Sequence, residues 1–244
     1  MELIDYLLNK PPEKLYKYRE VNENNLTALF DDRIYVPRAD RVNDKNELAL
    51  APENSNKHYD EIFNRFIKLG RKGCYILSFT ILPDNLKMWN KYCEKFSGFV
   101  LEYDSKDIIE QISKSRTGSK WGYVKYNCEK VIVSKLVLDE IGKEQNANYQ
   151  IRVDEYSTGF FFIKTPRWKY EEEFRFAFGV EGQDINFINK NDAIIYKKGF
   201  FIENVIPTKI FIGFNMEEKI KEQIIDYCLH KHIKHEIVNK SFTK

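Results

Sequence analysis

The chain is short of the features that announce a function class through composition. Its four cysteines, Cys74, Cys93, Cys128 and Cys228, are scattered through 244 residues with no C-x-x-C pair. That argues against a disulfide scaffold or a zinc module and reads as reduced, buried thiols without a metal role. Long apolar runs are missing, since no stretch approaches the roughly 18 residues of a membrane span. The opening MELIDYLLNKPPEKLYKYR also lacks the basic-then-apolar order of an export signal. A cytoplasmic location away from membranes is therefore expected. No charge of one sign dominates either: 39 basic against 37 acidic residues leave +2, which gives no general electrostatic case for nucleic acid or a membrane surface. Repeats, linkers and low-complexity segments are absent, so a single domain over residues 1–244 is expected.

What is present is a 43% apolar fraction, enough for a sizeable core, and an alternation of short helical and extended patterns. ELIDYLLNK reads as an amphipathic helix stopped by Pro11 and Pro12. LYKYR (Leu15 to Arg19) reads as a strand, followed by a helix from Asn24 or Asn25 to Phe30, a strand RIYVP and a polar loop from Arg41 to Leu48. A helix from His58 to Leu69 leads into the strand CYILSFTIL. Asp84 or Asn85 caps a helical turn carrying Met88, Trp89 and Tyr92. GFVLEYD and WGYVKYN are strands on either side of a helix DSKDIIEQISK. Residues from Glu129 to about Phe162 look helical, EEEFRFAFGV and AIIYKKGFFI look like strands, and the end reads strand, Gly213 turn, helix, strand. This order predicts an α+β domain with mixed and antiparallel sheets and surrounding helices.

Three of the strands bring polar residues into apolar surroundings. They are Tyr18 and Arg19 in YKYR, Ser78 and Thr80 in LSFT, and Glu171, Glu173 and Arg175 in YEEEFR. Alternation along a strand puts Glu171, Glu173 and Arg175 on one face, with Glu172 beside Phe174, Phe176 and Phe178 on the other. Trp89 and Tyr92 sit three apart on a helical turn, which suits either core packing or stacking on a base. His230, His232 and His235 tempt a metal assignment, but His232 and His235 would fall on opposite strand faces, and a solvated basic helix end is the better reading. The turn at Gly213 has the outline of a phosphate cradle on one glycine alone.

The order Arg19, then Ser78-x-Thr80, then Glu171-x-Glu173 resembles the arginine–serine–glutamate clade of ADP-ribosyltransferases. The resemblance implies a split sheet and NAD as substrate. It implies Arg19 as phosphate or ribose contact, Ser78 as organiser of the nicotinamide pocket, Glu173 as the catalytic glutamate and Glu171 as the group that orients an acceptor. Tyr18, Thr80, Trp89, Tyr92 and Arg175 would complete the cofactor contacts, with no metal. Breaking a glycosidic bond to nicotinamide leaves an oxocarbenium-like sugar, which a fixed carboxylate in a water-poor pocket stabilises.

A second resemblance covers Leu15 to Gly213. LYKYR, Asn25-Leu26, RIYVP, the loop VNDKNE with Asn43, Asp44 and Glu47, SFT, MWNKY, Gly98 and the run Lys164-x-x-x-Trp168-x-x-Glu171-x-Glu173-x-Arg175 together look like the bacterial domain-of-unknown-function family 2971. The loop departs from the family's usual Asn-Asp-Pro by carrying Asn43-Asp44-Lys45. Members are thought of as stress or phage-defence genes, which implies a toxin-like role with a neutralising partner; the family name supplies no activity, and a macromolecular acceptor (nucleic acid or protein) belongs to the transferase reading. Two other readings stand beside the transferase. One is a magnesium-dependent nuclease using Asp44, Glu47, Glu171 and Glu173 with Lys164; the other is a non-enzymatic sensor whose polar strand faces bind a ligand or partner.

Overall fold

The computed structural model describes residues 10–42, 50–53, 55–115, 119–126, 131–143, 160–179 and 198–239. The expected opening helix, the loop residues Asn43, Asp44 and Glu47, Cys128, the whole stretch from 144 to 159 and the first part of the expected strand, Ala193 to Lys197, lie outside them.

Seven strands form the main sheet. In chain order they are β1 (Lys14–Arg19), β4 (Cys74–Thr80), β5 (Phe99–Asp104), β6 (Lys120–Tyr123), β8 (Glu173–Gly179), β10 (Lys209–Ile212) and β11 (Lys234–Ile237), and across the sheet they run β11-β10-β5-β1-β4-β8-β6. All pairs are antiparallel except β10 with β11. Among the described residues there are also two small ribbons: β2 (Ile34–Pro37) with β9 (Gly199–Ile202), and β3 (Leu50–Pro52) with β7 (Val131–Val133). Helices α1 (Glu23–Phe30), α2 (Lys57–Gly73), α3 (Leu86–Tyr92), α4 (Ser105–Ser115), α5 (Lys135–Lys143) and α6 (Glu218–Lys231) surround them. The α+β expectation holds.

Alternation along the strands sorts the side chains into two layers. One face of the sheet carries Leu15, Leu77, Phe79, Phe99, Leu101, Phe174 and Phe176, buried under α4 and α6 through Ile108, Ile112 and Ile224. The other face carries Tyr18 and Val100 against Trp89 of α3, and Cys74, Ile76 and Ala177 against Phe161 and Phe162. Asn85 starts α3 as the sequence suggests, its side chain accepting from the Met88 amide at 3.2 Å.

The seams of the sheet are unequal. β1 pairs with β5 over its whole length, Lys14↔Asp104 to Arg19↔Phe99, and β4 pairs with β8 from Cys74↔Gly179 to Thr80↔Glu173. Between β1 and β4 the register is a single pair, Tyr16↔Thr80. Two well-zipped halves thus meet at one bridge and part beyond it.

Several elements differ from the sequence reading. Residues 131–133 form a strand and the helix begins at Lys135, because Val131, Ile132 and Val133 are β-branched and pair with β3. EEEFRFAFGV is not one strand: Pro166–Glu171 is a 3-10 turn, Glu172 is left-handed at φ 39° and ψ 56°, and β8 starts at Glu173. His232 caps α6 with φ 57° instead of entering the last strand, and His230, His232 and His235 are all exposed. Gly213 is a packing point, since a Cβ there would stand 2.0 Å from the Phe96 carbonyl oxygen.

Candidate functional site

Where β1 and β4 part, a cleft of about 250 Å³ opens. The Ile81 amide donates to the Glu172 carbonyl at 3.3 Å. That fixes which β4 residues bond to β8 and turns the backbone groups of Ser78 and Thr80 toward β1. No β1 amide follows them past Tyr16↔Thr80. Instead the Lys17 ammonium donates to the Ser78 carbonyl across the gap. By register Lys17 and Arg19 belong to the face of Leu15, the core face, so they reach the cleft through the opening between the half-sheets. Tyr16, Tyr18, Ser78, Thr80, Glu173 and Arg175 belong to the opposite face.

The floor of the cleft is an ion cluster. Glu173 and Arg175 are 5% and 1% exposed, and Glu171 and Lys164 are buried with them. Lys164 Nζ donates to Glu171 Oε2 at 2.7 Å and also to Glu173 Oε1. Arg175 Nε donates to Glu173 Oε2, and its Nη1 donates to the Phe161 carbonyl at 2.5 Å. The Tyr92 hydroxyl donates to Glu171 Oε1 at 2.5 Å, and Lys91 lies 3.8 Å from the same oxygen. On a continuous strand Glu171 and Glu173 would be spaced about 6.7 Å apart along one face. The left-handed Glu172, a conformation that costs about 1–2 kcal/mol in a non-glycine residue, folds the chain so that one lysine holds both carboxylates.

The two glutamates are driven in opposite directions. Burial and the adjacent Glu173 hold Glu171 above the usual carboxylate range, against the pull of Lys164. For Glu173 burial pushes upward, but Arg175 and Lys164 outweigh it and hold the carboxyl well below that range. A paired acid and anion is the arrangement that divides proton-holding from charge-stabilising roles. Burial, then the neighbouring Arg19, pushes the Lys17 amine well below its usual value, and burial lowers Arg19 too. Neither cation is ion-paired with a carboxylate among the described residues. The lining as a whole holds five basic side chains (Lys17, Arg19, Arg41, Lys164 and Arg175) against two acidic ones, Glu171 and Glu173. A basic lining of this kind favours an anionic ligand.

Of the residues singled out from sequence, Tyr18, Arg19, Ser78, Thr80, Tyr92, Glu171, Glu173 and Arg175 line this one cleft. Tyr18 also ties β1 to α3, its hydroxyl donating to the Leu82 carbonyl at 3.0 Å and accepting from the Asn85 amide at 3.2 Å. Trp89 does not reach the cleft. It is 0% exposed, stacked on Phe96 at 4.9 Å with its Nε1 donating to the Pro83 carbonyl, and serves as core. The ion pairs join Glu171 to Lys164 and Glu173 to Arg175. Lys17 escaped the sequence reading, although a lysine between Leu15 and Arg19, on what must be the core face, was a visible signal. Lys164 was a family mark with no role beyond the nuclease reading, and it proves to be the hub of the carboxylate pair.

Cys93 and Cys228 are buried and free, and burial lifts their thiols to about 12 and about 11, far from a reactive thiolate. No helix among the described residues is long and apolar enough to cross a membrane. Among the described residues no group of three or more His, Cys, Asp or Glu side chains is arranged to hold a metal ion.

Residues 88–176 match the family described as "Protein of unknown function (DUF2971)", in agreement with the resemblance seen in the sequence. The matched segment runs from α3 into β8 and contains Tyr92, Gly98, Lys164, Trp168, Glu171, Glu173 and Arg175, while the β1 and β4 walls of the cleft lie before it. No curated protein and no solved structure matches the chain.

Proposed function

We propose that the protein is an ADP-ribosyltransferase-like enzyme that consumes NAD, transferring ADP-ribose to a macromolecule or to water. The observation that carries this reading is the cleft itself: a split between half-sheets that gathers Arg19, Ser78, Thr80, Glu171 and Glu173 around a cationic interior. In the reaction the bond between ribose C1 and the nicotinamide nitrogen breaks, and its electron pair leaves with neutral nicotinamide. The acceptor then bonds to C1 and its proton passes to solvent. Glu173, kept ionised by Arg175 and Lys164, supplies negative charge beside the developing sugar cation. Each of its oxygens retains a further lone pair for that purpose. Arg19 and Lys17 suit the pyrophosphate, and Glu171 with Tyr92 suits the acceptor side. The volume is below the roughly 300–1,000 Å³ of pockets that enclose a whole ligand. The nicotinamide ribose end would therefore enter and the adenosine end would lie across the mouth. A cytoplasmic setting fits the buried free thiols, and a toxin or phage-defence role with a neutralising partner belongs to the same reading.

The test is nicotinamide release from NAD by the purified chain, with and without chelator and candidate acceptors. The reading expects release that survives the chelator and falls about 100- to 1,000-fold in Glu173→Gln. Absence of release with every acceptor would sink it, and nucleic-acid cleavage abolished by chelator would favour the nuclease instead. A second reading, ligand sensing without turnover, draws on the fact that both Glu173 oxygens already accept from cations. It expects saturable binding and no product.

A further inference from the structure

Beside the cleft mouth, two segments from separate parts of the chain pack against each other: 85–91, which forms most of α3, and 164–170, which leads through the 3-10 turn. The Asn85 side chain donates to the Tyr170 carbonyl, and Lys91 Nζ donates to the Tyr170 hydroxyl at 3.0 Å. Together they hold Lys87, Lys91, Lys164, Arg167 and Lys169; Asp84 and Glu171 border the two segments, Lys164 is bound to Glu171 and Glu173, and Lys91 lies 3.8 Å from Glu171 Oε1. Lys87, Lys91, Arg167 and Lys169 are exposed. Aromatic rings set the positions of these cations: Lys91 Nζ stands 3.7 Å from the centre of the Trp168 ring, Arg167 5.2 Å from the same ring, and Lys87 5.4 Å from that of Tyr170. Charges held over π-faces lose less side-chain freedom when an anion arrives. Trp168 and Lys164 also line the cleft, so the ridge runs directly into it.

We propose that this ridge is the docking surface for the acceptor, and that the acceptor is single-stranded nucleic acid. This rests on the transferase reading and names its substrate class. Lys87 and Lys91 are one helical turn apart, so their side chains emerge about 5–6 Å from each other. A run of phosphates can engage them in succession with Arg167 and Lys169 beyond. An unpaired strand can also present a single base at the mouth of the cleft, beside the nicotinamide ribose end, which a duplex could do only after flipping a base. Neutralising three or four phosphates gives a salt dependence of log K on log[salt] of about −2 to −3 for a single strand.

The experiment is fluorescence anisotropy of a labelled 12-nucleotide single strand with the full chain at several salt concentrations, in the absence of NAD. The expected result is saturable binding with that slope, weakened at least tenfold and with a shallower slope in Lys87→Glu/Lys169→Glu. Lys106→Glu, an exposed position on α4 across the sheet, should change binding less than twofold. Circular dichroism confirms that each variant is folded. No binding at 100 μM protein would overturn the proposal, as would an equal loss in Lys106→Glu or competition by polyglutamate as effective as by unlabelled strand, which would point to an acidic protein. Because NAD is absent, failure of nicotinamide release would leave this result standing, and failure of binding would leave NAD hydrolysis standing.

Discussion

β1 has two edges, and they are treated differently. Toward β5 it is paired residue for residue from Lys14 to Arg19; toward β4 it keeps only Tyr16↔Thr80. On the closed seam Lys17 lies opposite the buried Leu101, so one side of that pair is core and the other reaches into the open seam to meet the Ser78 carbonyl. The closed seam is fixed by packing, with Gly98 pressed so near that an added Cβ would stand 2.1 Å from the Arg19 carbonyl oxygen. The open seam is held by ions and polar side chains. A sheet that would gain from zipping both edges leaves one parted and fills it with polar and ionisable side chains, and the proposed NAD site rests on that parting.

The contrast can be broken in order of expected effect. The largest is at the open seam: Arg175→Met leaves the buried Glu173 anion with Lys164 as its remaining cation and should cost about 3–5 kcal/mol in urea unfolding. On the closed seam, Leu101→Ala should cost roughly 2–5 kcal/mol by cavity formation while leaving ligand binding in place. Its neighbour across the pair should behave otherwise. Lys17→Met removes one hydrogen bond and one desolvated amine, two effects that oppose each other, so stability should move by less than about 1 kcal/mol. Binding of pyrophosphate should nonetheless weaken. If Lys17→Met destabilises as much as Leu101→Ala, the open seam is ordinary core.

The smallest effect is a pair of pH slopes of opposite sign. Glu173 has a folded value below the unfolded one near 4.5. Its stabilisation is therefore present above 4.5 and is lost as pH falls below it. Glu171 has a folded value above 4.5. Its contribution is complete below 4.5 and is lost as pH rises through the raised value. Urea titrations across pH 3–8 should show that Glu173→Gln flattens the acid side of the stability profile and Glu171→Gln the neutral side. Slopes of the same sign would mean that the pair does not divide its roles.

Much of the fold was legible because alternation and caps are local. Cys74–Thr80, Phe99–Asp104 and the Asn85 cap follow from the residues themselves. The departures arose where pairing or backbone strain overrode pattern. Val131–Val133 needed β3 as partner, and the left-handed Glu172 has no glycine to announce it. At the site, alternation put Glu173 and Arg175 on one face, and the structure keeps them there. It could not reveal that Glu171 reaches them from a turn, that Lys164 joins the two carboxylates, or that Arg19 enters from the opposite face. Those depend on how far two strands diverge, and nothing in either strand encodes that distance. Trp89 fits core as well as it fits a ligand, and only its neighbours Tyr18 and Phe96 decide between them.

The most direct test of the open seam as the NAD site is amide hydrogen exchange of the whole chain with and without NAD. The account predicts slowed exchange in Tyr16–Glu20 and in Ile76–Ile81, with the β10–β11 pair unchanged and the effect lost in a Lys17→Met/Arg19→Met variant. Protection confined to other elements, or none at saturating NAD, would contradict it.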